Sequence, residues 1–373
     1  AVADTPFYWR HGFNYDRGVQ TFFTVQGQEG SGTRVMQRGH HESRDVVAWW
    51  RKESDRNVAQ TMMRAGDWLE RHHKEEFFLY VDTWDPHEPW DAPDYYTRLY
   101  MPDYDGEIVQ PPYCRWEDAP NFTAEKVRKA HATYCGEITM VDAWVGHLLR
   151  KVENMGLMEK TAIIFTSDHG FYFGEHGGRV GKMTFAKRPN GDLYEFGDPD
   201  SKWDHSPLYE EVTAVPLIVY MPGMTGGSYS GLTSAIDVMP TVLELGGQAV
   251  PAWVQGKSLV GKIHDPGAKG REFTVSTLPF ANPGDRVRSV DNVSRPLFSD
   301  VVTTVTTNEL TLLYSVEEGM SELYHLPSDP IQTENVINSR LSEASDVHDL
   351  LVGFMRDTNL AAPLFEPRRD LRM

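Results

Sequence analysis

One stretch constrains the fold of this chain more than any other, Thr161-Ala-Ile-Ile-Phe-Thr-Ser-Asp-His-Gly170. Its first six residues are apolar or β-branched, which is typical of a strand buried on both faces in a parallel sheet. Asp168 and His169 follow where that strand would end, and Gly170 permits a turn. Open α/β sheets build their sites at the carboxyl ends of strands. An adjacent carboxylate and imidazole there can hold one divalent metal ion, although an isolated Asp-His-Gly is more often a polar turn.

The pattern around this stretch indicates an α/β fold. A helical period begins near Ser54, and the apolar run 77–81 predicts a core strand. Apolar residues from Val127 to Val152 recur on one face of a long helix, which Gly156 would end. Strand 215–220 then resumes the sheet. This alternation predicts a doubly wound, mostly parallel sheet between helices.

Two regions lack that alternation. Residues 1–50 show no sustained period and are predicted to be mostly loops, and 171–207 reads as a long functional loop. Beyond residue 262 the character changes, and we expect two domains, a catalytic α/β domain over 1–261 and a subdomain over 262–373. The elements expected after that boundary are three antiparallel strands and a helix, at 300–307, 310–314, 321–326 and 341–355.

Composition excludes several classes of protein. The net charge of -18 disfavours nucleic acid as a partner. The sequence contains no run of eighteen apolar residues of the kind that spans a membrane. The two cysteines, Cys114 and Cys135, are too few for a disulfide framework or a thiolate zinc site. The chain begins at Ala1 with no signal-peptide pattern, so this end gives no information on compartment or export. Oligomeric state is equally open.

Histidines gather in the loops that would meet at the carboxyl edge of the sheet. These are His87, His169, His176 and His205, with Lys182 nearby. A lone loop histidine is usually solvated, but several at one edge beside Asp168 suggest a metal and anion site. Such a site would neutralise an oxyanion as charge moves to the leaving group.

Several of these motifs occur together, in order, in one known family. The chain resembles the later part of the sulfatases of the alkaline phosphatase superfamily, and the likeness runs from about residue 10 to 340. That resemblance implies an alkaline-phosphatase-like mixed, mostly parallel sheet. The motifs that carry it are Asp85-Pro-His-Glu-Pro-Trp90, Ser167-Asp-His-Gly170, Gly174-Glu-His-Gly177, Leu208-Tyr-Glu-Glu211, Val215-Pro-Leu-Ile-Val219, Ile236-Asp-Val-Met-Pro-Thr241, Gln255-Gly-Lys-Ser-Leu259 and Ser321-Glu-Leu-Tyr-His-Leu326.

The resemblance implies roles for individual residues. Asp168 and His169 would be metal ligands, with Ca²⁺ the first expectation and Mn²⁺ the alternative because imidazole stands where many sulfatases have Asn. His87 would contact the sulfate and assist the departing alcohol oxygen. Either Lys182 or His205 would occupy the position of the family's anion-binding lysine, and the sequence leaves that choice open. The implied substrate is a small-molecule or saccharide sulfate ester.

The departures from the family are as informative as the matches. The Cys/Ser-x-Pro-x-Arg motif that is oxidised to formylglycine, the paired aspartates of the first strand and the Lys-Trp-His segment are all missing. We therefore expect a fragment whose nucleophile region lies upstream of Ala1 and which does not turn over a sulfate ester alone. Periplasmic or secreted location is implied only by the resemblance.

Two alternatives stay open. One is a phosphonate monoester or phosphodiester hydrolase of the same superfamily, for which an Asp-His pair would suit manganese. The other is a non-catalytic protein that keeps the fold and binds an anion.

Overall fold

The computed structural model describes residues 1–5, 15–25, 51–184, 190–192, 207–265, 267–277 and 302–373. These residues form two compact units. The first comprises 1–112 and 116–161, and the second comprises 113–115 and 162–373. The domain boundary at 261/262 stays a prediction.

The first unit contains a parallel sheet and two main helices. Within the described residues, β1 lies between β2 and β3, with Val2 opposite both Phe23 and Val81. The elements of this unit are β1 (Val2–Ala3), β2 (Phe23–Thr24), a 3-10 turn (Glu53–Asp55), α1 (Asn57–His72), β3 (Val81–Asp82), α2 (Asp94–Thr97), a 3-10 turn (Trp116–Asp118) and α3 (Ala124–Asn154). The prediction that residues 1–50 are mostly loops missed β1, which is buried at the centre of this sheet.

Helix α3, which packs on α1, was correctly predicted. The Thr123 hydroxyl accepts a hydrogen bond from the Lys126 amide and caps its start. Gly156 follows its end with φ +66, a left-handed conformation that glycine adopts without strain. Its apolar face packs against α1, and the shared core contains Val58, Met62, Ala92, Met140 and Val141.

The second unit begins with a strand pair that differs from the prediction. β5 (Ile163–Thr166) pairs with β8 (Leu217–Tyr220) in antiparallel register, with Phe165 opposite Ile218. These strands are not buried on both faces, since Phe165 is 42% exposed and Ile218 61% exposed. The expectation of a parallel, doubly buried strand was therefore wrong, because an apolar run specifies neither its partner nor its burial.

The segment predicted as a loop from 171 to 207 contains regular structure in its described part. β7 (Arg179–Gly181) pairs antiparallel with both β4 (Cys114–Arg115) and β6 (Tyr172–Phe173). A single turn, α4 (Glu175–Gly178), joins β6 to β7. Strands β6 and β7 of this small sheet lie between Asp168 and Lys182 in the sequence.

The three predicted carboxyl-terminal strands and the helix are present, and the sheet has a fourth strand, Thr274–Thr277, that the sequence did not predict. An antiparallel sheet in the order β12-β11-β10-β9 packs against the helix that begins at Leu341, and its strands are β9 (Thr274–Thr277), β10 (Thr303–Thr306), β11 (Leu310–Tyr314) and β12 (Glu322–His325). The remaining elements of this unit are α5 (Glu210–Thr213), a 3-10 turn (Ala235–Asp237), α6 (Val238–Leu245), α7 (Val260–His264), α8 (Leu341–Asp357), α9 (Ala362–Phe365) and a 3-10 turn (Glu366–Arg368). No helix in the described ranges is long and apolar enough to cross a bilayer.

Candidate active site

The turn after β5 brings Asp168 and His169 together. Asp168 Oδ2 lies 3.5 Å from His169 Nε2, and the two side chains are 79% and 36% exposed. His169 Nδ1 lies 2.9 Å from the Gly170 carbonyl oxygen, so Nδ1 carries a proton that it donates there. The lone pair of Nε2 is then available on the side of the ring that faces the carboxylate.

This geometry fits two ligands of one cation. Metal bonds of about 2.1 to 2.5 Å at roughly a right angle separate two donor atoms by about 3.0 to 3.5 Å. The hydrogen bond from Nδ1 is the type of contact that fixes a metal-binding imidazole in its tautomer and orientation. Among the residues that the structure describes, no third His, Cys, Asp or Glu joins the pair. Asp168 and His169 would therefore supply part of a coordination sphere.

Gly170 fastens this turn to α5. Its amide donates to the Val212 carbonyl at 3.0 Å. A Cβ at this position would lie 1.9 Å from the Glu211 carbonyl oxygen, so no side chain fits. The glycine that the sequence assigned to a flexible turn is thus required by close packing of two backbones.

His176 packs into the protein beside this turn. Its Nε2 lies 2.8 Å from Glu211 Oε2, its side chain is only 6% exposed, and its ring stacks on Tyr209 at 3.6 Å. The Tyr172 hydroxyl donates to the Pro207 carbonyl and accepts from the Tyr209 amide. His176 is therefore a buried, paired histidine of the α4 turn, unlike the loop histidine suggested by the sequence.

Of the two candidates for the anion-binding position, the structure describes Lys182 only. Lys182 follows β7 directly and is half-buried in the second unit, which also contains Asp168 and His169. His205 lies outside the described residues. The choice between these two residues for the anion-binding position thus remains a prediction.

His87 lies in the first unit, in the loop that follows β3. Its Nδ1 lies 2.7 Å from the Glu88 carbonyl oxygen, and its ring stacks on Trp84 at 3.9 Å. Glu88 Oε2 is a further 3.4 Å contact of the same nitrogen. Because Nδ1 donates to Glu88, Nε2 is the nitrogen through which His87 could exchange a proton with a ligand.

Asp4, which the sequence reasoning missed, holds the start of this loop. It is 1% exposed and accepts hydrogen bonds from the Thr61 hydroxyl at 2.7 Å, the Thr83 hydroxyl at 3.0 Å and the Trp84 amide. Burial raises the pKa of Asp4 to about 6, against the opposing effect of these hydrogen bonds. The available signal was the repeated pair Asp4-Thr5 and Asp82-Thr83, each at the end of an apolar segment.

More carboxyl groups lie buried near the same loop. Asp91 forms an ion pair with Arg56 at 2.7 Å, and Glu137 Oε2 accepts from the Ala92 amide. Burial raises the pKa of both Asp85 and Glu137 well above the usual range, and the charge of neighbouring carboxylates adds to the effect. Burial thus favours the protonated form of these two carboxyl groups.

Comparison with known proteins identifies the family. The sulfatase family model matches residues 3–248. The chain belongs to the sulfatase family. This confirms the resemblance stated from the sequence motifs, and members of the family generally use a divalent metal ion and formylglycine.

Curated sulfatases match over most of this chain. An arylsulfatase of Clostridium perfringens is 24% identical over 282 residues, which cover 70% of this chain and 50% of that protein. An endo-4-O-sulfatase of Bacteroides thetaiotaomicron is 29% identical over 281 residues, which cover 72% of this chain and 46% of that protein. The chain spans about half the length of these curated relatives.

Solved structures confirm the predicted alkaline-phosphatase-like fold. BT4656 in complex with its substrate D-glucosamine-2-N,6-O-disulfate has a TM-score of 0.59 at 18% identity, covering 82% of this chain and 70% of that chain. The phosphonate monoester hydrolase SpPMH from Silicibacter pomeroyi also has a TM-score of 0.59, at 20% identity, covering 82% of this chain and 60% of that chain. At these identities the likeness concerns the fold alone.

Proposed function

We propose that this chain forms the metal-binding and leaving-group side of a sulfatase that hydrolyses a sulfate ester. The observation that carries the proposal is the pairing of Asp168 and His169 at 3.5 Å, on a turn that Gly170 anchors to α5. Family membership supplies the reaction class. A divalent cation bound there would supply positive charge to the sulfate oxygens, and Ca²⁺ or Mn²⁺ is the ion we expect.

The other residues would act on the same ester. His87 would pass a proton through Nε2 to the departing alcohol oxygen, while Glu88 and Trp84 keep its ring in one orientation. Lys182 or His205 would hold a sulfate oxygen. The 373 residues contain no Cys/Ser-x-Pro-x-Arg motif, so we expect binding without turnover unless that motif is supplied by further sequence.

A sulfated saccharide is the substrate class that we propose. BT4656 is solved in complex with its substrate D-glucosamine-2-N,6-O-disulfate, and the relative in Bacteroides thetaiotaomicron is named an endo-4-O-sulfatase. Export from the cell belongs to the same proposal, since it rests only on the family resemblance. Sequencing the gene on the 5′ side of the Ala1 codon tests the expectation of a fragment, which fails if neither the nucleophile motif nor paired aspartates are encoded there.

Metal binding by the chain itself is the direct test. Titration with Mn²⁺, followed by electron paramagnetic resonance of the free ion, should show one site that Asp168→Ala abolishes. Asp349→Ala is the matched control, because Asp349 is an exposed aspartate of α8 in the same unit. Equal Mn²⁺ binding by wild type and Asp168→Ala would exclude the proposed metal site.

A phosphonate monoester hydrolase is the second candidate. Two observations favour it, the imidazole beside Asp168 and the structural likeness to SpPMH. A protein that contains this chain together with a nucleophile segment should be assayed on an aryl sulfate and on an aryl phosphonate monoester. Faster hydrolysis of the phosphonate would replace the sulfatase assignment.

A further inference from the structure

Arg179 is a buried cation that has no counter-ion among the described residues. It lies at the start of β7 and is 5% exposed. Its Nη1 donates to the Thr184 hydroxyl at 3.1 Å, which is a neutral acceptor. Its Nε is buried and has no hydrogen-bond partner, and in the described part of the chain no carboxylate forms an ion pair with it. A buried guanidinium in this state is costly unless something else neutralises it.

Two other buried cations are neutralised by carboxylates. Arg56 forms an ion pair with Asp91 at 2.7 Å, and Lys129 contacts Asp105 at 2.9 Å and Glu107 at 2.6 Å. Arg368 resembles Arg179 instead, because it is 3% exposed, donates from Nη1 to the Leu364 carbonyl at 2.9 Å and forms no ion pair with a described residue. What distinguishes Arg179 from Arg368 is therefore its surroundings on the strand pair.

A second arginine faces Arg179 across the strand pair. Arg115 on β4 is its direct partner in the antiparallel register, so the two side chains leave the same face of the sheet. Arg115 is exposed, and its Nη1 donates to the Gly177 carbonyl at 3.1 Å. Two like charges directly opposite each other destabilise a ladder unless an anion lies between or beside them.

Glu211, a carboxylate in the neighbouring cluster of Tyr172, His176 and Tyr209, already has a partner. The charges of Glu211 and Arg179 both act on the pKa of Tyr172, in opposite directions. Glu211, however, is bound to His176 at 2.8 Å. Among the described residues no carboxylate forms an ion pair with Arg179, and a bound anion would supply the missing negative charge.

We propose that Arg179, assisted by Arg115, binds an oxyanion group of a ligand. A guanidinium presents planar donors that match sulfate and carboxylate oxygens, and a dry environment strengthens such a contact. Arg179 precedes Lys182 by three residues on the strand that leads to it. If the proposed sulfatase function holds, the bound group is a second acidic group of a polyanionic saccharide sulfate, distinct from the ester that is hydrolysed.

Sulfate titration of the full chain tests this inference directly. The Nε–H signals of ¹⁵N-labelled arginines are followed by NMR while sulfate replaces chloride at constant ionic strength, and the Arg179 signal is assigned as the one missing from Arg179→Lys. We expect a saturable shift of that signal at sulfate concentrations up to about 50 mM. In Arg179→Lys, where binding is followed through the Arg115 signal, affinity should weaken about tenfold, because a point charge loses the planar donor pair. It should weaken less in Arg115→Gln and stay unchanged in Arg98→Gln, an exposed arginine of the first unit.

Thermal unfolding separates anion binding from a purely structural role. In sulfate-free buffer, Arg179→Met should melt no lower than wild type, because it removes an uncompensated buried charge. Sulfate should raise the Tm of wild type and leave that of Arg179→Met unchanged. An Arg179 signal that does not respond to sulfate, or a Tm that Arg179→Met lowers equally with and without sulfate, would overturn the inference.

Two further measurements ask whether the bound anion is a substrate group and whether the Arg179 site is independent of the proposed metal site. Glucose 6-sulfate and inorganic sulfate are compared in the same titration, and binding of the ester supports a substrate group. If inorganic sulfate alone binds, the assignment to the substrate is wrong. Mn²⁺ binding at Asp168 is measured on the same variants, so a failure of the Arg179 site is distinguishable from a failure of the proposed sulfatase site.

Discussion

Gly170→Ala is the substitution that most directly tests how the candidate metal site is held. The added Cβ would lie 1.9 Å from the Glu211 carbonyl oxygen and 3.0 Å from its carbon, both of them backbone atoms. An ordinary contact of about 3.4 Å requires a movement of about 1.5 Å. That movement would break the hydrogen bond from the Gly170 amide to the Val212 carbonyl, now 3.0 Å long. The strain is steric, because Gly170 is not among the residues with positive φ.

Two effects determine how much unfolding free energy Gly170→Ala loses. Overpacking against rigid neighbours costs about 1 to 3 kcal/mol. Losing the backbone hydrogen bond adds about 0.5 to 1.5 kcal/mol. The unfolding free energy should therefore fall by roughly 2 to 4 kcal/mol, which for a unit of this size lowers the Tm by about 5 to 15 °C.

Calorimetry with a matched glycine provides the assay. Gly353 lies inside α8 of the same unit, and a Cβ there would meet no atom within 4 Å. Gly353→Ala should raise stability by about 0.5 to 1 kcal/mol, because alanine favours a helix interior. Gly170→Ala should also lose Mn²⁺ binding, while Gly353→Ala keeps it. If Gly170→Ala melts within about 1 °C of wild type and binds Mn²⁺ normally, the close approach does not position the turn.

Three further substitutions test the supports of the first unit. The folded-state pKa of Asp4 is raised to about 6 from 3.8, so its contribution to stability is complete below pH 4 and is lost as the pH rises through about 6. Urea unfolding from pH 4 to 7 should show a decrease of up to about 3 kcal/mol that Asp4→Asn reduces, and equal slopes would contradict the assigned shift. Lys129→Met should cost about 1 to 2 kcal/mol, since it removes a buried cation held by Asp105 and Glu107, and an unchanged urea midpoint would show that this pair adds no stability. Thr123→Ala should cost about 0.5 to 1 kcal/mol through loss of the α3 cap, and Thr123→Ser should restore most of it.

Local patterns in the sequence were sufficient where an element is long. Helix α3 was expected from apolar residues between Val127 and Val152, and it extends over Ala124–Asn154 with Gly156 after it. Strands β10 to β12 were also predicted, because alternation and turn residues bound each of them, whereas β9 was missed. β1 was missed, since a strand of two residues, Val2–Ala3, is too short to show a period.

Long-range pairing is what the sequence did not reveal. The apolar stretch of β5 suggested burial on both faces, but Phe165 and Ile218 are cross-strand partners on a largely exposed face. A run of apolar residues has the same appearance whether its neighbours run parallel or antiparallel. For the same reason His176 looked like a surface histidine, because its partners Tyr209 and Glu211 follow it by more than thirty residues.

The sequence placed Asp168 and His169 side by side, but it did not show which contacts hold them in position. Asp168 and His169 are neighbours in the chain, so their side chains could be expected to meet from the motif alone. The contacts that hold this turn could not be predicted from the motif, because they are made by the Glu211 and Val212 backbones at Gly170. A motif therefore identifies reactive groups before it identifies the contacts that fix them.

The His87 loop of the first unit and the Asp168 turn of the second unit respond to different perturbations. The His87 loop is fastened through Asp4, a buried carboxylate with three donors, so its support depends on protonation. The Asp168 turn is fastened through Gly170 by backbone contact, so its support depends on side-chain volume. A rise in pH through about 6 should thus loosen the first unit while leaving the Gly170 contact intact. Hydrogen exchange of the Gly170 amide that stays slow across this pH range, after correction for the intrinsic rate, would establish that the two supports are independent.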